Sequence, residues 1–187
     1  MLERETVIKR STKEQIEIKI QEIPFVEKIN LRFDPNNKDL VSICTNILDN
    51  ILPIKPNTYT ENTNLKIIWL GPDEWLIVNG NKNNLYENLR NKLGDLDASI
   101  TNVSENRTII RVSGKKINIL LSKFLTLDLE KNLSTIGSCA QTLFVKVPVL
   151  LLVNNYDKDQ EIDIFVNRSH TKYIYDILID GSKNLDF

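Results

Sequence analysis

The chain has 187 residues, with 24 basic and 25 acidic side chains and a formal net charge of −1 at pH 7. Hydrophobic residues make up 41% and charged residues 26%, which is typical of a globular protein that buries a core without a disulfide or metal. The balanced charge speaks against a protein that binds nucleic acid through a general positive field, because phosphate binding needs many Lys and Arg on one face, and it leaves a local basic patch open.

The sequence contains no pattern of a membrane-spanning or secreted protein. The longest uninterrupted apolar run, residues 147–153, is much shorter than the roughly 18–20 residues of a membrane helix. The charged start, Met1-Leu2-Glu3-Arg4-Glu5, lacks the apolar stretch of a secretory signal. We therefore expect a cytoplasmic protein that binds neither membranes nor nucleic acid.

The first half of the chain predicts the order strand, strand, helix, strand, strand, helix. Alternating or β-branched apolar residues indicate the strands, and apolar residues three and four apart indicate the helices. Asp34-Pro35 is expected to cap the first helix, Gly71-Pro72-Asp73 to form a turn, and Gly94 to end the second helix. The predicted elements are strands at 15–20 and 29–33, a helix at 40–51, a loop at 53–64, strands at 65–70 and 74–78, and a helix at 85–93.

The second half predicts the same order. Pro148 is expected to kink a long central strand, Ser169 to cap the last helix, and Gly181 to end it. The predicted elements are strands at 98–103 and 108–112, a helix at 117–125, a strand at 142–153, a polar turn at 154–160, a strand at 161–166, and a helix that follows Ser169.

Pairs of strands between helices favour an α+β protein. We expect two small lobes of mainly antiparallel sheet with helices packed on them. A weak echo between Leu31-Arg32-Phe33 and Ile110-Arg111-Val112 supports two related lobes. The boundary is expected near Asp95-Leu96-Asp97, giving an N-terminal lobe at 1–96 and a C-terminal lobe at 97–187, with strands free to cross between them.

Few patterns in the chain indicate chemistry. The two cysteines, Cys44 and Cys139, form no CxxC, which favours reduced, buried thiols over a disulfide. Together with His170, the one histidine, they are too few for a common structural zinc site. A Ser-His-acid triad lacks a nucleophile motif of the GxSxG kind. The six glycines are at least nine positions apart, which excludes Rossmann and P-loop phosphate sites.

Three further patterns are better explained by structure than by function. Ser113-Gly114-Lys115-Lys116 ends like a P-loop, but Ile109 stands where the first glycine should be, so a strand-to-helix turn is favoured. The carboxylates at 157, 159, 161 and 163 lack the glycine and final glutamate of an EF-hand, which favours a charged surface hairpin. Core positions are favoured for Trp69 and Trp75, with an interface role as the alternative.

One stretch carries a positive signal. Residues 70–78 read Leu-Gly-Pro-Asp-Glu-Trp-Leu-Ile-Val and resemble the LGPDEWL signature of the sarcosine oxidase gamma subunit family, relatives of the folate-binding aminomethyltransferase (glycine-cleavage T-protein) fold. Shorter matches occur in the order that the family shows, and together they extend over about residues 65–180. They are Asp97-Ala98-Ser99, residues 107–114, residues 119–123 with 127–129, residues 137–142, and Val166-Asn167-Arg168-Ser169.

The resemblance implies a component of a heterotetrameric sarcosine oxidase, which oxidatively demethylates sarcosine to glycine and passes the one-carbon unit to tetrahydrofolate and electrons to oxygen. It implies that alpha, beta and delta partner subunits hold the FAD, FMN, NAD, tetrahydrofolate and zinc, and that this chain has no cofactor site or catalytic residue. Trp69, Trp75 and Arg168 are then candidates for the subunit interface. Another N-methylated amino acid stays open as the substrate.

The chain departs from the family pattern at two places. Lys115 follows the Ser-Gly turn where the family commonly has Pro. Aminomethyltransferases carry paired aspartates on a strand that by position falls within 145–153, and here that strand has no carboxylate. The resemblance therefore implies that this chain keeps the scaffold and lacks the residues for folate chemistry.

Three hypotheses follow for the function. The leading one is a non-catalytic gamma subunit that supports assembly of the oxidase. The alternative is an independent folate-binding protein of the aminomethyltransferase type, in which Asp97 or Glu74 grips the pterin in a pocket between the lobes. The third, a bare scaffold for some other enzyme, is not separated from the first by the sequence.

Overall fold

The structure is a computed structural model that describes residues 5–8, 13–15, 18–80, 84–156 and 160–185. It is an α+β fold with short helices and antiparallel strands, as the sequence predicts. The strands are β1 Lys13–Gln15, β2 Ile18–Ile23, β3 Glu27–Phe33, β4 Tyr59–Glu61, β5 Leu65–Gly71, β6 Glu74–Asn79, β7 Ala98–Asn102, β8 Arg107–Gly114, β9 Cys139–Phe144, β10 Val147–Asn155 and β11 Glu161–Asn167. The helices are α1 Lys38–Leu48, α2 Leu85–Leu93, α3 Ile117–Ser122, α4 Leu129–Asn132 and α5 Thr171–Gly181, with 3₁₀ turns at Arg168–His170 and Ser182–Asn184.

The chain divides into two compact units. The continuous unit is Val26–Glu105, and the split unit combines Met1–Phe25 with Asn106–Phe187. These units differ from the expected lobes 1–96 and 97–187 because two strands pair outside the lobe that contains them. Strand β7 follows residue 97 but pairs with β3, and β2 lies in the first half but pairs with β8.

The two units share one order of five neighbouring strands, although β7 follows β3 in the chain whereas its equivalent β2 precedes β8. The continuous unit has the sheet order β4-β5-β6-β3-β7, and the split unit has the order β1-β2-β8-β11-β10-β9. If β8 is set in the place of β3, then β9, β10 and β11 take the places of β4, β5 and β6, and β2 takes the place of β7. The echo between Leu31-Arg32-Phe33 and Ile110-Arg111-Val112 falls on the two equivalent strands, β3 and β8.

Helix stripes and alternating strand residues form the core of the continuous unit. Apolar residues four apart on α1 and α2 pack against every second residue of β3, as the two periodicities require. The buried cluster includes Leu40, Cys44 and Leu48 of α1, Leu85, Leu89 and Leu93 of α2, and Ile29, Leu31 and Phe33 of β3. No helix in the described ranges is long and apolar enough to cross a membrane.

The helix ends differ from their predicted positions. Asn37 caps α1, since its side chain accepts from the Leu40 amide at 3.2 Å, whereas Asp34 accepts from the Asn36 amide in the preceding turn. Helix α1 ends at Leu48 because Asp49 is left-handed with φ 46°. The predicted helix to residue 51 is therefore too long by three residues.

The last helix also starts and ends one residue later than predicted. His170, not Ser169, occupies the capping position of α5, because Ser169 lies in the 3₁₀ turn before it. Gly181 is the last residue of α5 and not a left-handed stop. Its lack of a side chain matters for packing, since a Cβ there lies 2.5 Å from Phe124 Cζ.

The predicted single strand at 142–153 is wrong. The segment is a hairpin of β9 and β10, in which Val147 pairs with Phe144 across a two-residue turn. Val145 takes φ 59° in this turn, a conformation that β-branched residues rarely adopt, and its amide donates to the Phe124 carbonyl at 2.9 Å. Pro148 lies within the hairpin opposite Leu143, so it does not mark a kink in a central strand.

A cross-strand ion pair links β8 to β11. Arg111 donates from Nε and Nη2 to the two carboxylate oxygens of Asp163 at 2.7 and 2.9 Å, and its Nη1 lies 3.2 Å from Glu161. The hydrogen bond to Asp163 raises the pKa of Arg111 above its ordinary value. Asp163 is buried, which corrects the predicted charged surface hairpin at that position, whereas Asp157 and Asp159 lie outside the described residues.

We expect Asp163→Ala to lower the free energy of unfolding by about 3 kcal/mol, because it leaves the half-buried Arg111 guanidinium without its bidentate partner. Denaturant unfolding measures this value. Asp176→Ala is the matched control, since it removes an exposed α5 pair with Lys172 and should cost less than about 0.5 kcal/mol. If the two variants lose the same free energy of unfolding, the stabilising role of the Arg111–Asp163 pair is contradicted.

Candidate functional site

The family-like signature forms the hairpin of β5 and β6. Gly71 pairs with Glu74 across the turn residues Pro72 and Asp73, and the ladder shifts register between Trp69 and Gly71. The predicted turn is therefore confirmed. Asp73 and Glu74 lie at the end of the hairpin, next to the last residues of β3.

A small polar network ties this hairpin to β3. Arg32 Nη2 donates to Asp73 Oδ2 at 2.7 Å, and Asn30 Nδ2 donates to Glu74 Oε1 at 2.7 Å. The Phe33 amide also donates to the Asp73 carbonyl at 3.2 Å. The hydrogen bond from Arg32 lowers the pKa of the Asp73 carboxyl, so this group is a poor proton donor near neutral pH. The signature carboxylates therefore bind strand β3.

The signature tryptophan Trp75 is a core residue. Its side chain is 1% exposed, and its ring lies 5.0 Å from the Phe33 ring between centroids. The indole Nε1 donates to the Pro53 carbonyl at 2.9 Å, which satisfies the buried N–H. Trp75 therefore offers no surface to a partner, whereas Trp69 is half-buried.

The Pro53 bond holds a loop at residues 49–58, which we name the isoleucine loop. Thr60 Oγ1 donates to the Ile51 carbonyl at 2.6 Å, and Asn62 Nδ2 donates to the Leu48 and Asp49 carbonyls at the end of α1 at 3.3 and 3.2 Å. The loop nevertheless presents Ile51 at 71% and Ile54 at 82% exposure. A fixed backbone with two exposed apolar side chains is typical of a docking element, because little ordering is needed on binding.

A cleft of about 600 Å³ opens beside the hairpin, and we name it the acidic cleft. It carries three carboxylates and one guanidinium, and that guanidinium is already paired with Asp73. Apolar side chains form other parts of its wall. The lining residues are Arg32, Phe33, Asp34, Pro35, Asp73, Leu96, Asp97, Ala98 and Ser99.

The structure separates the two acidic residues of the folate-binding hypothesis. Asp97 is exposed at the acidic cleft. Glu74 is half-buried on β6 and bonded to Asn30, and it is not among the residues that line the cleft. Strand β10, which spans part of the segment expected to hold paired aspartates, reads Val-Pro-Val-Leu-Leu-Leu-Val-Asn-Asn and has no carboxylate.

The remaining candidates lie in the split unit. Arg168 is half-buried, and its guanidinium donates to the Glu5 carbonyl, so it ties the 3₁₀ turn before α5 to the N-terminal segment. His170 is exposed at the start of α5, with Nδ1 3.3 Å from Ser169 Oγ. Across the described ranges, no group of three His, Cys, Asp or Glu side chains is placed to hold a metal ion.

Both cysteines are buried and reduced, as predicted. Burial raises the pKa of Cys44 to about 12 and that of Cys139 to about 12. A thiol that stays protonated is a poor nucleophile and a poor metal ligand. The cysteines therefore act as small apolar core residues, Cys44 in the continuous unit and Cys139 in the split unit.

The sequence also decides the family. Residues 34–184 match the family described as "Sarcosine oxidase, gamma subunit family". The chain belongs to this family. A curated relative, the sarcosine oxidase subunit gamma of Corynebacterium sp. (strain P-1), is 24% identical over 165 residues, which cover 88% of this chain and 79% of that protein.

Solved structures show the same fold for this gamma-family chain. A chain of the heterotetrameric sarcosine oxidase from Corynebacterium sp. U-96, in complex with pyrrole 2-carboxylate, matches with TM-score 0.79 and 23% identity over 88% of this chain and 83% of that one. The glycine cleavage system aminomethyltransferase T from Bartonella henselae matches with TM-score 0.65 and 12% identity over 89% of this chain and 46% of that one. The predicted likeness to the aminomethyltransferase scaffold is confirmed.

Sequence reasoning missed the isoleucine loop and the acidic cleft of this gamma-family chain. Ile51 was predicted on the buried stripe of α1, because its spacing from Leu48 fits a helix that in fact has already ended. The cleft joins three segments distant in sequence, which no local pattern reveals.

We expect Arg32→Gln to raise the pKa of Asp73 toward its ordinary value, because the guanidinium donor is lost. The lowered pKa in the fold means that the pair stabilises the hairpin above about pH 4 and loses this effect as pH falls through the folded value. Carboxyl ¹³C NMR titration measures the pKa. Arg90→Gln, on the exposed face of α2, changes the same charge and should leave Asp73 unshifted.

We expect both thiols to react with a disulfide reagent at pH 8 at least about 1,000-fold more slowly in the folded chain than in denaturant, since a pKa near 12 leaves little thiolate. Because burial raises the thiol pKa in the folded chain, the protonated thiols make their full contribution to the free energy of unfolding below about pH 8.5. This contribution falls as the pH rises toward 12. Mass spectrometry of labelled peptides follows each cysteine separately. If the cysteines of the native chain react as fast as those of the denatured chain, the assignment of both as buried thiols is contradicted.

Proposed function

We propose that this chain is the non-catalytic gamma subunit of a cytoplasmic heterotetrameric sarcosine oxidase, in which it supports assembly. The observation that carries the proposal is the family match over residues 34–184. The similar chain in a solved structure belongs to a heterotetrameric sarcosine oxidase. The complex would oxidatively demethylate sarcosine, or another N-methylated amino acid, with this chain packed against alpha, beta and delta subunits.

The chemistry of the described side chains supports a role without catalysis. The Asp73 carboxylate is tied to Arg32, and burial keeps the thiols of Cys44 and Cys139 protonated. None of these groups is poised to transfer a proton or attack a substrate near neutral pH. In our proposal, the partner subunits hold FAD, FMN, NAD, tetrahydrofolate and zinc.

The isoleucine loop supports a role in assembly. Side-chain donors already hold the loop carbonyls of Ile51 and Pro53. The exposed apolar side chains of the loop therefore lose little entropy when a partner covers them. Trp75 contributes to assembly indirectly, by holding this loop through the Pro53 carbonyl. Trp69 and Arg168, which are half-buried, stay candidates for direct contact with a partner subunit. We therefore place one docking surface at Ile51 and Ile54.

Co-expression of this chain with the beta and delta subunits and a tagged alpha subunit tests the proposal. The wild-type chain should co-purify in stoichiometric amount, and the chain purified alone should bind no flavin. A flavin spectrum from the isolated chain, or no co-purification, overturns the proposal.

We expect Ile51→Ser combined with Ile54→Ser to lower co-purification at least about tenfold, because two apolar anchors are lost. Thermal unfolding of the isolated chain should change little, since both side chains are exposed before binding. Ile119→Ser combined with Ile136→Ser is the matched control, because these two isoleucines are 45% and 56% exposed in the split unit. Equal co-purification of the double variant and the control contradicts the loop assignment.

The second candidate function is folate binding by the isolated chain. The structural likeness to an aminomethyltransferase and the acidic cleft with Asp97 favour it, whereas the missing carboxylates of β10 speak against it. Calorimetric titration of the isolated chain with a reduced folate distinguishes the two functions. Submillimolar binding that Asp97→Asn abolishes favours the folate-binding function.

A further inference from the structure

Strand β7 is an open edge of the sheet in the continuous unit. It pairs with β3 on one side, and its five residues, Ala98–Asn102, include neither a charge nor a proline. Edge strands are usually guarded by such residues, because an unpaired row of N–H and C=O groups accepts another strand. The side chains of Ser99, Thr101 and Asn102 are exposed.

The register shows which backbone groups point outward. The Val103 amide donates to the Lys28 carbonyl at 2.8 Å, so the pair of Val103 and Lys28 is hydrogen-bonded. Alternation along an antiparallel ladder then directs the N–H and C=O of Ile100 and Asn102 away from β3. Within the described part of the chain, no backbone group bonds to these outward groups.

The acidic cleft continues from the start of this edge. Ala98 and Ser99 belong to β7 and also line the cleft, next to the exposed residues Asp97 and Leu96. The cleft has three carboxylates against one guanidinium, an excess that favours a cationic group. The open edge of β7, which can accept a further strand, therefore adjoins the acidic cleft, which favours a cation.

We propose that an extended basic segment of a partner subunit adds to β7 as a further strand and places a Lys or Arg side chain in the acidic cleft. Backbone hydrogen bonds to Ile100 and Asn102 supply affinity, and the carboxylates of Asp97 and Asp34 select the basic residue. The inference rests on the proposed function, since it names the partner contact of a gamma subunit.

A second copy of this chain fits the site poorly. Pairing of β7 with another β7 brings no cation, because the segment from Asp97 to Glu105 contains no Lys or Arg. A β7 strand from such a copy leaves the cleft carboxylates without a partner. The charge of the site therefore favours a different, basic chain.

Hydrogen exchange of the assembled four-subunit complex, compared with the isolated chain, tests strand addition. The amides of Ile100 and Asn102 should exchange at least about tenfold more slowly in the complex, because a new strand bonds to them. Unchanged exchange in a complex that forms normally overturns this inference and leaves the proposed function standing. Failure of the wild-type complex to form overturns the proposed function instead.

Charge reversal tests the acidic cleft. We expect Asp97→Lys to weaken association with the partner subunits at least about tenfold, because it repels the basic side chain. Asp95→Lys is the matched control, since it makes the same charge change two residues away, outside the cleft lining. Thermal unfolding confirms that both variants fold.

Three results overturn the inference. Equal weakening by Asp95→Lys and Asp97→Lys shows that general charge, not the cleft, acts on assembly. Protection of β7 through self-association of the isolated chain assigns the edge to a second copy. Tight binding of a reduced folate that Asp97→Lys abolishes assigns the cleft to a small ligand.

Discussion

The buried indole N–H of Trp75 needs an acceptor, and the geometry of the continuous unit depends on where it finds one. The acceptor is the Pro53 carbonyl, 2.9 Å away, in a loop between α1 and β4. An unsatisfied buried donor costs about 1–3 kcal/mol, so this bond joins the core to the loop more firmly than a surface contact does. The core tryptophan thereby fixes the position of Ile51 and Ile54 at the surface.

Each unit has an arginine at an equivalent position, and each of these arginines bonds to a carboxylate of its own unit. Arg32 on β3 bonds to Asp73 and approaches Glu74 of β6, and Arg111 on β8 bonds to Asp163 of β11. Each arginine lies on the strand that the shared strand order makes equivalent. Since oppositely charged cross-strand pairs favour one register, each pair supports the register of the two strands that it joins.

The thiols and the signature carboxylate are engaged in contacts within the fold. The thiols are buried, and the signature carboxylate of Asp73 is held by an arginine. What the continuous unit presents outward is a pair of isoleucines, an unguarded strand edge and an acidic cleft. Such features suit recognition of other proteins, because they offer apolar area, backbone hydrogen bonds and charge selection together.

The sequence by itself determined the features that depend on neighbours along the chain. Alternation at 29–33 predicted β3, and the stripe of Leu85, Leu89 and Leu93 predicted α2. The turn at Pro72 and the family signature were also visible, since they reside in contiguous residues. Local periodicity suffices for these because it reflects which face of an element is buried.

The tertiary structure alone decided the features that join distant segments. The hairpin within 142–153 depends on the Val145 amide reaching the Phe124 carbonyl, a contact that no apolar run encodes. The pairing of β2 with β8 set the compact units, and the cleft at Asp97 formed where three separate segments meet. These outcomes depend on long-range pairing, whose energy is shared among residues far apart in sequence and leaves no local pattern.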